Sequence, residues 1–407
     1  MKKKTNRGWI IGLLTPLLVL LLAAGFFFGV NRFSIRMELT GEPVQTLESG
    51  VDTYTEEGAK AYFCGSLIFK QGFALDVRRA GSINLDRLGE QSVTYRADFL
   101  LWHGKAKRTV TVQDTLAPEI TLKGDAEVTI NAGTAYTDPG ATAVDNNDGD
   151  LTDKMTVEGS VDIYRAGTYT ITYTATDSFG NTATKERTVC VKALRQPDKV
   201  EPGSKTVYLT FDDGPSKYTS ELLDVLKKYN VKATFFIVNT GYTDLISREL
   251  SEGHSVGIHS ATHQYSTIYA SEEAYFADLQ KVQDAIVALS GKETTLVRFP
   301  GGSSNTVSSF NPGIMTRLTQ ALTDMGYQYF DWNVSSGDAG ETTSTDQVFE
   351  NVISGMQNHN VSIVLQHDIK GFSVAAVERI IVWGLANGYT FLPLDASSPT
   401  AHHRVNN

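Results

Sequence analysis

The segment Thr210-Phe211-Asp212-Asp213-Gly214-Pro215 closes an apolar run that begins at Val207. Val207-Tyr208-Leu209-Thr210-Phe211 reads as a buried strand, and the Gly-Pro that follows at once as a tight loop. Two carboxylates side by side at a strand end repel one another. Keeping both ionised needs a counter-charge, and a metal ion is the most efficient one. An Asp-Asp-Gly turn on a surface loop has the same composition, so the decision rests on whether the rest of the chain supplies further ligands.

Downstream, short β-rich runs alternate with amphipathic stretches. Strands are expected at 206–213, 233–238, 255–260, 295–300, 327–334, 361–367 and 389–394. Helices are expected near 217–229, 243–252, 271–290, 312–325, 345–358 and 373–387, the third marked by a Ser271 cap and Glu273 near its first turn. This alternation gives parallel strands with covering helices. Seven strands within residues 206–395 predict a small or incomplete (β/α) barrel, with the site at the carboxyl ends of the strands.

Those ends carry Asp212 and Asp213, then His259-Ser260-Ala261-Thr262-His263, Arg298-Phe299-Pro300-Gly301-Gly302, Asp331-Trp332-Asn333 and Leu365-Gln366-His367-Asp368. If the chain turns helical after Ile258, the i, i+4 spacing puts both imidazoles on one face. Each residue has an ordinary explanation: an incidental His pair, a structural ion pair for Arg298, a satisfied core histidine for His367, core packing for Trp332. Those explanations would have to coincide at five strand ends. A carboxylate and two imidazoles make a three-ligand site for a divalent ion, with positions left open for water and substrate. Such an ion lowers the pKa of bound water and polarises a carbonyl. The second Asp is free to act as base, and a His on the opposite wall can protonate a leaving nitrogen. The expectation is metal-assisted hydrolysis of an amide or ester.

Over about residues 205 to 395 these motifs resemble the polysaccharide deacetylases, the NodB-homology group of carbohydrate esterase family 4. The resemblance implies Asp212 as base and Asp213 as metal ligand. Through the family's His-Ser/Thr-x-x-His motif it makes His259 and His263 the other two ligands. Arg298, in Arg-x-Pro, would hold the base. Asp331 would orient the acid and Trp332 would wall the acetyl pocket, with Pro300, Gly301 and Leu365 as further substrate contacts. His367, in Leu-x-His, would be the general acid. A backbone N–H, that of Gly301 or of a neighbour in the first loop, would help hold the oxyanion. Arg-Phe-Pro-Gly-Gly replaces the aromatic-Gly ending common in the third motif, and Gln366 stands where the family often has an apolar residue. The family fold is a distorted (β/α) barrel. Mixed nitrogen and oxygen ligands suit Zn2+, and Co2+ or Ni2+ fit as well.

Upstream, residues 35–113 and 117–193 look like two copies of one unit. Met37-Glu38-Leu39-Thr40-Gly41 answers to Ile120-Thr121-Leu122-Lys123-Gly124, Tyr54 to Tyr136, and Arg108-Thr109-Val110-Thr111-Val112 to Arg187-Thr188-Val189-Cys190-Val191. A period of roughly 80 residues is too long for a solenoid and fits tandem domains. Alternating Thr and Val between Gly and Asn-Asp turns indicates small antiparallel sandwiches. The second copy resembles bacterial immunoglobulin-like surface modules, through Asp114-Thr115-Leu116-Ala117-Pro118, Tyr136-Thr137-Asp138-Pro139-Gly140-Ala141 and Thr176-Asp177-Ser178-Phe179-Gly180-Asn181. The modules are set at 35–113 and 114–193, the first more divergent. A spacer role is the plain reading for the pair, wall or sugar binding the sharper one. The acidic loop Asp145 to Asp153 reads as a solvated turn, with calcium binding as the alternative. Residues 194–205, polar with two prolines, are a linker. The polar tail 396–407, with His402 and His403, is expected to be disordered.

At the other end, Lys2, Lys3, Lys4 and Arg7 precede 23 charge-free residues, Gly8 to Val30. That is long enough to span a bilayer, and no small-x-small cleavage site precedes Asn31. Residues 1–30 are read as an uncleaved anchor with the basic flank in the cytoplasm and everything after residue 30 outside; a cleaved signal peptide is the competing reading. The net charge of −10 argues against a nucleic-acid partner. Cys64 and Cys190 fall in different modules, so no intradomain disulfide is expected and both read as small buried hydrophobes.

The expected architecture is therefore multidomain: a transmembrane helix, two immunoglobulin-like β sandwiches and a distorted (β/α) barrel. Anchor, surface modules and deacetylase domain point to a bacterial cell wall. The resemblance implies removal of acetyl groups from N-acetylglucosamine in peptidoglycan, leaving amines that make the wall a poorer substrate for lysozyme-like hydrolases. Chitin oligomers, poly-N-acetylglucosamine or acetyl xylan would share fold and metal site. A wall-binding protein with a dead barrel would have no reason to keep Asp212, Asp213, His259, His263, Arg298 and His367 together.

Overall fold

The computed structural model describes residues 8–238 and 240–407, without the side chains of 8–15, 17 and 28. The basic flank at Lys2 to Arg7 lies outside the described residues. The chain divides into two compact units. One is Met1–Gly124, Pro139–Glu158 and Thr172–Lys185; the other is Asp125–Asp138, Gly159–Ile171 and Glu186–Asn407. A helix covers Gly8–Val30 and contains Pro16. With the undescribed side chains set aside, no helix among the described residues is long and apolar enough to cross a membrane.

In the first unit, Phe33–Leu39, Ala59–Gly65 and Phe73–Leu75 form one antiparallel sheet. Val44–Glu48, Trp102–Gln113, Gly89–Phe99 and Arg78–Ala80 form a second, in that order. Alternation along Gly89–Phe99 buries Val93, Tyr95 and Ala97, as period-2 patterning requires. The expectation of purely antiparallel sheets is corrected. After Leu39 the chain crosses to the other sheet, where Val44–Glu48 runs parallel to Trp102–Gln113. The second unit repeats this ladder, Glu127–Asn131 parallel to Thr182–Lys192. The repeat extends to an ion pair made by a buried arginine with a half-buried acid. Arg108 donates from Nη1 to Glu56 at 2.6 Å and from Nε to the Glu42 carbonyl. Arg187 likewise donates to Asp138 and to the Asp125 carbonyl. Each acid stands two residues after the matching Tyr54 or Tyr136. Cys64 and Cys190 are both free and half-buried, not buried as expected.

The second unit holds the parallel sheet. Thr206–Asp212 is buried along its whole length. It pairs in parallel with Thr234–Ile237 and Val361–His367, and at its start with Thr390–Phe391. Beyond Thr234–Ile237 lie Ser255–Ile258, Leu296–Val297 and Gln328–Tyr329; beyond Val361–His367 lies Val334–Ser335. The two sheet edges are thus joined by residues 330–333 alone, and the sheet curls into an open barrel. That closure corrects the expected single strand 327–334. Phe330 N–H bonds to Val297 near one edge and Asn333 N–H to Ile363 near the other, so the run is a corner between two short strands. Helices Thr219–Tyr229, Thr243–Ser251, Glu272–Ser290, Ile314–Asp324, Thr345–Asn358 and Gly371–Ala386 fall where the periodicity puts them. Ser271 caps the third through the Ala274 N–H.

The tail is ordered, contrary to expectation. His402 stacks on Tyr329 at 3.8 Å between centroids and bonds to its carbonyl. Asn407 bonds to Ser308 and Asn311.

His254 gives a test of the barrel's stability. It is buried, and its Nδ1 accepts the Ala233 N–H at 3.1 Å. Burial foremost, with the charge of Lys232, lowers its pKa to about 4. The unfolded chain takes up this proton near pH 6.5 and the folded chain does not. The group therefore contributes fully above pH 6.5, and the contribution falls away as pH drops towards 4, by about 3 kcal/mol in all. His254→Asn, which keeps an acceptor for Ala233, is expected to flatten the pH dependence of denaturant midpoints in that window. An unchanged slope would remove His254 as its source.

Candidate active site

Asp213 follows the central strand in the left-handed region, φ +71, a costly conformation for a non-glycine residue. The next residue must be glycine: a Cβ on Gly214 would lie 2.1 Å from Asp368 Oδ1. Asp213 Oδ1 is 3.5 Å from His259 Nε2 and 3.4 Å from His263 Nε2. The two histidines do not share a helix. Residues 259–264 form a loop, and His263 has φ +49. The loop is fastened to helix Glu272–Ser290 instead. Asp278 accepts from Ser260 Oγ, Ala261 N–H and Thr262 Oγ1, and Ser260 Oγ accepts the His263 N–H at 2.8 Å.

His259 is buried, and its Nδ1 donates to the Arg298 carbonyl at 2.7 Å. That bond fixes the tautomer and leaves the Nε2 lone pair facing Asp213. Burial lowers the His259 pKa despite the neighbouring carboxylates, so the ring is neutral, as a ligand must be. Asp213 Oδ1 is itself buried without a hydrogen-bond partner. An orphaned carboxylate oxygen facing two imidazoles, all three atoms within 4.8 Å, fits a divalent ion.

Beside this triad sit an acid and a base candidate. Arg298, fully buried, donates from Nη1 to Asp212 Oδ1 at 2.9 Å and to Thr210 Oγ1 at 2.6 Å. Its Nε and Nη2 are held by the carbonyls of Phe330 and Asp331. The guanidinium thus compensates the Asp212 charge and fixes its position, as expected. His367 is the register partner of Asp212 on the next strand. Its Nδ1 lies 2.8 Å from Asp338 Oδ1, and its backbone N–H bonds to Asp338 Oδ2. Burial pulls the His367 pKa down, but the bond to Asp338 and the charges of Asp212, Asp338 and Asp213 outweigh it and leave it raised. That suits a residue which must carry a proton to donate.

The carboxylate bonded to His367 is therefore Asp338, and not Asp331 as expected. Asp331 is fully buried and accepts from the Ser303 N–H, the Ser303 hydroxyl and the His403 N–H. It braces the loop after Arg298. Trp332, Gly301 and Leu365 line the cleft with Asp212, Asp213, His259, His263 and His367. Pro300 lies behind it, its carbonyl accepting from Tyr269. Tyr265, Ala339 and Lys370 complete the lining of this cleft of ≈ 330 Å³, and sequence reading named none of them. Only Tyr265, two residues past His263, had a positional signal.

The polysaccharide deacetylase family model matches residues 199–330, and that of bacterial surface protein Ig-like domains matches 120–191. A peptidoglycan-N-acetylglucosamine deacetylase of Bacillus cereus is 36% identical over 210 residues, covering 50% of this chain and 72% of its own. The peptidoglycan-N-acetylmuramic acid deacetylase PdaC of Bacillus subtilis is 34% identical over 204 residues, 49% of this chain and 40% of its own. Among solved structures, the catalytic domain of a peptidoglycan N-acetylglucosamine deacetylase from Eubacterium rectale is 62% identical, covers 52% of this chain and 98% of its own, and superposes with a TM-score of 0.50. With 36% identity over 72% of a curated deacetylase and the family model matching 199–330, the chain belongs to the polysaccharide deacetylase family and is a hydrolytic deacetylase.

Proposed function

We propose that this chain removes the N-acetyl group from N-acetylglucosamine residues of peptidoglycan, using a divalent ion held by Asp213, His259 and His263. The observation that carries the chemistry is that Asp212, paired with Arg298, and His367, paired with Asp338, end adjacent strands beside the ligand triad. The substrate is carried by the relatives, whose names specify peptidoglycan. When bound, the ion supplies Lewis acidity at the acetyl carbonyl and a water of lowered pKa, with zinc favoured by the mixed donor set. Asp212 accepts the proton of the attacking water as its oxygen bonds to the acetyl carbon. His367 gives its proton to the amide nitrogen as the C–N bond breaks. Acetate and a free amine result, and the amine's positive charge makes the wall a poorer lysozyme substrate.

The chain works outside the cytoplasm, tethered through Gly8–Val30. The support is the charge-free length of that stretch, the basic residues before it and the exposure of Leu18, Leu20, Leu21, Leu22 and Phe26.

The test is acetate release by the detergent-solubilised full chain from peptidoglycan and from N-acetylglucosamine oligomers, before and after chelation. Release from peptidoglycan that chelation abolishes and Zn2+ restores is expected, with the lost acetyl traced to glucosamine by sugar analysis. Loss from muramic acid, or release from oligomers alone, would move the substrate. Release that survives chelation would overturn the metal assignment.

A further inference from the structure

A second group of acids lies in the first unit, far in sequence from the catalytic residues. Asp114 is in the segment that joins the strand Trp102–Gln113 to the strand Glu119–Leu122. Asp145 ends the strand Ala141–Asp145, and Asp177 follows Gly167–Thr176. One carboxylate oxygen from each lies within 4.8 Å of the others. All three residues are buried, at 7%, 4% and 7% exposure. Three like charges collected out of water are costly unless compensated.

The oxygens are not used alike. Asp177 accepts from the Phe179 and Asn181 N–H groups and from Asn181 Nδ2. Asp145 Oδ1 accepts from the Asn147 and Asp148 N–H groups. Asp145 Oδ2 and Asp114 Oδ2, however, are buried with no hydrogen-bond partner. The charges facing Asp114 are those of Asp145, Asp177 and Glu48, all negative. Two orphaned buried carboxylate oxygens beside a third carboxylate are what a hard cation requires.

The geometry points to a calcium site formed by Asp114, Asp145 and Asp177. An all-oxygen donor set with no imidazole or thiolate suits Ca2+ over the transition metals. The acidic loop supplies one ligand rather than several. Asp148 accepts from Ser178, in the segment after Gly167–Thr176, and Asp150 from the Thr152 N–H, so both are already engaged.

The position gives the ion a mechanical role. Asn146, next to Asp145, donates to the Ser49 carbonyl at 2.7 Å, and Ser49 Oγ donates to Asn147 at 2.8 Å. Gly50 has φ +71, and a Cβ on it would lie 2.0 Å from the Asn146 carbonyl oxygen. The connecting segment at Asp114, the Asp145 loop and the turn Ser49–Gly50 of the first repeat therefore converge. Calcium there stiffens the joint between the first repeat and the strands that follow it.

The test uses the full chain carrying Asp213→Ala, so that the catalytic triad takes no ion, titrated calorimetrically with CaCl2. One Ca2+ is expected, with Kd about 10⁻⁴–10⁻³ M as in extracellular modules. At tenfold excess over Kd, protease cleavage at residues 113–118 should slow about tenfold. Adding Asp145→Asn, which keeps Oδ1 for its loop, should abolish both effects. It should also slow cleavage in EGTA relative to the parent, because one buried charge is gone. A purely structural role for Asp145 gives the opposite, faster cleavage. No calcium heat, unchanged binding in the Asp145→Asn and Asp114→Asn variants, or equal protection by Mg2+ would overturn the assignment.

Discussion

Asp212→Asn is expected to lower kcat/KM for acetate release by about 10³-fold, inside the range that a positioned general base contributes. The substitution keeps the shape of the side chain and an oxygen for Arg298 Nη1, 2.9 Å away in the native protein. It removes the capacity to take a proton. Metal content should be unchanged, because the triad is built from Asp213, His259 and His263. Asp213→Ala should instead lose metal and activity together, and elemental analysis of the purified variants separates the two. Asp212→Ala adds a stability loss of about 3–5 kcal/mol, since a fully buried guanidinium loses its charge partner. Asp212→Asn activity within tenfold of the parent would remove Asp212 as the base.

Asp338→Asn should cost about 10²- to 10³-fold in kcat with KM little altered. Asp338 is not part of the cleft lining; it acts through His367. Two donors on His367, the ring Nδ1–H and the backbone N–H, each take one oxygen of Asp338. Asparagine offers only one acceptor, so one of them is left unpaired in a buried place. The sign of the pH effect follows. The bond and charge of Asp338 help hold the His367 pKa above its ordinary value. Activity that needs protonated His367 falls as pH rises through that pKa. Removing the charge lowers the pKa, so the alkaline limb of the kcat profile should move to lower pH. Asp331→Asn, by contrast, should weaken the fold around Ser303 and His403 and leave that limb in place. An unmoved limb in Asp338→Asn would return the orienting role to another group.

Sequence reading and structure part company at these two aspartates for a physical reason. Periodicity gives strands in chain order, and in that order Asp331 precedes His367 as naturally as Asp338 does. Which carboxylate faces His367 depends on which strands are neighbours. Val334–Ser335 lies beside Val361–His367, which brings the following residues, Asp338 among them, to the imidazole. The same gap hid the corner at 330–333, which belongs to both edges of the sheet. Residues fixed within a single strand end were legible: Asp212, Asp213 and Arg298 sit where their strands put them, and Arg298, buried among the carbonyls of Phe330 and Asp331, meets Asp212 with Nη1. The His259 and His263 pair was found by spacing, although a loop tied to Asp278, not a helix, brings the two together. Composition misled at the tail, where polar residues 401–407 gain their order from ring stacking on Tyr329 and from bonds to Ser308, neither of which a hydropathy pattern records.

The central strand Thr206–Asp212 has a consequence for how the enzyme comes into being. Its neighbours include Val361–His367, with Thr210 Oγ1 bonded to the Val364 carbonyl across 154 residues of chain. Asp212 and His367, the proposed base and acid, are register partners on these two strands, so neither has its counterpart until the most distant segments of the barrel have met. Pairings of such long range are the slow ones in folding. A chain arrested with only its first strands in place has Asp212, and even the proposed ligands Asp213, His259 and His263, but not His367, the proposed proton donor. Deacetylase activity is therefore an all-or-none reporter of completed folding: during refolding, acetate release should follow the slowest phase, while far-UV signals of local helices run ahead of it.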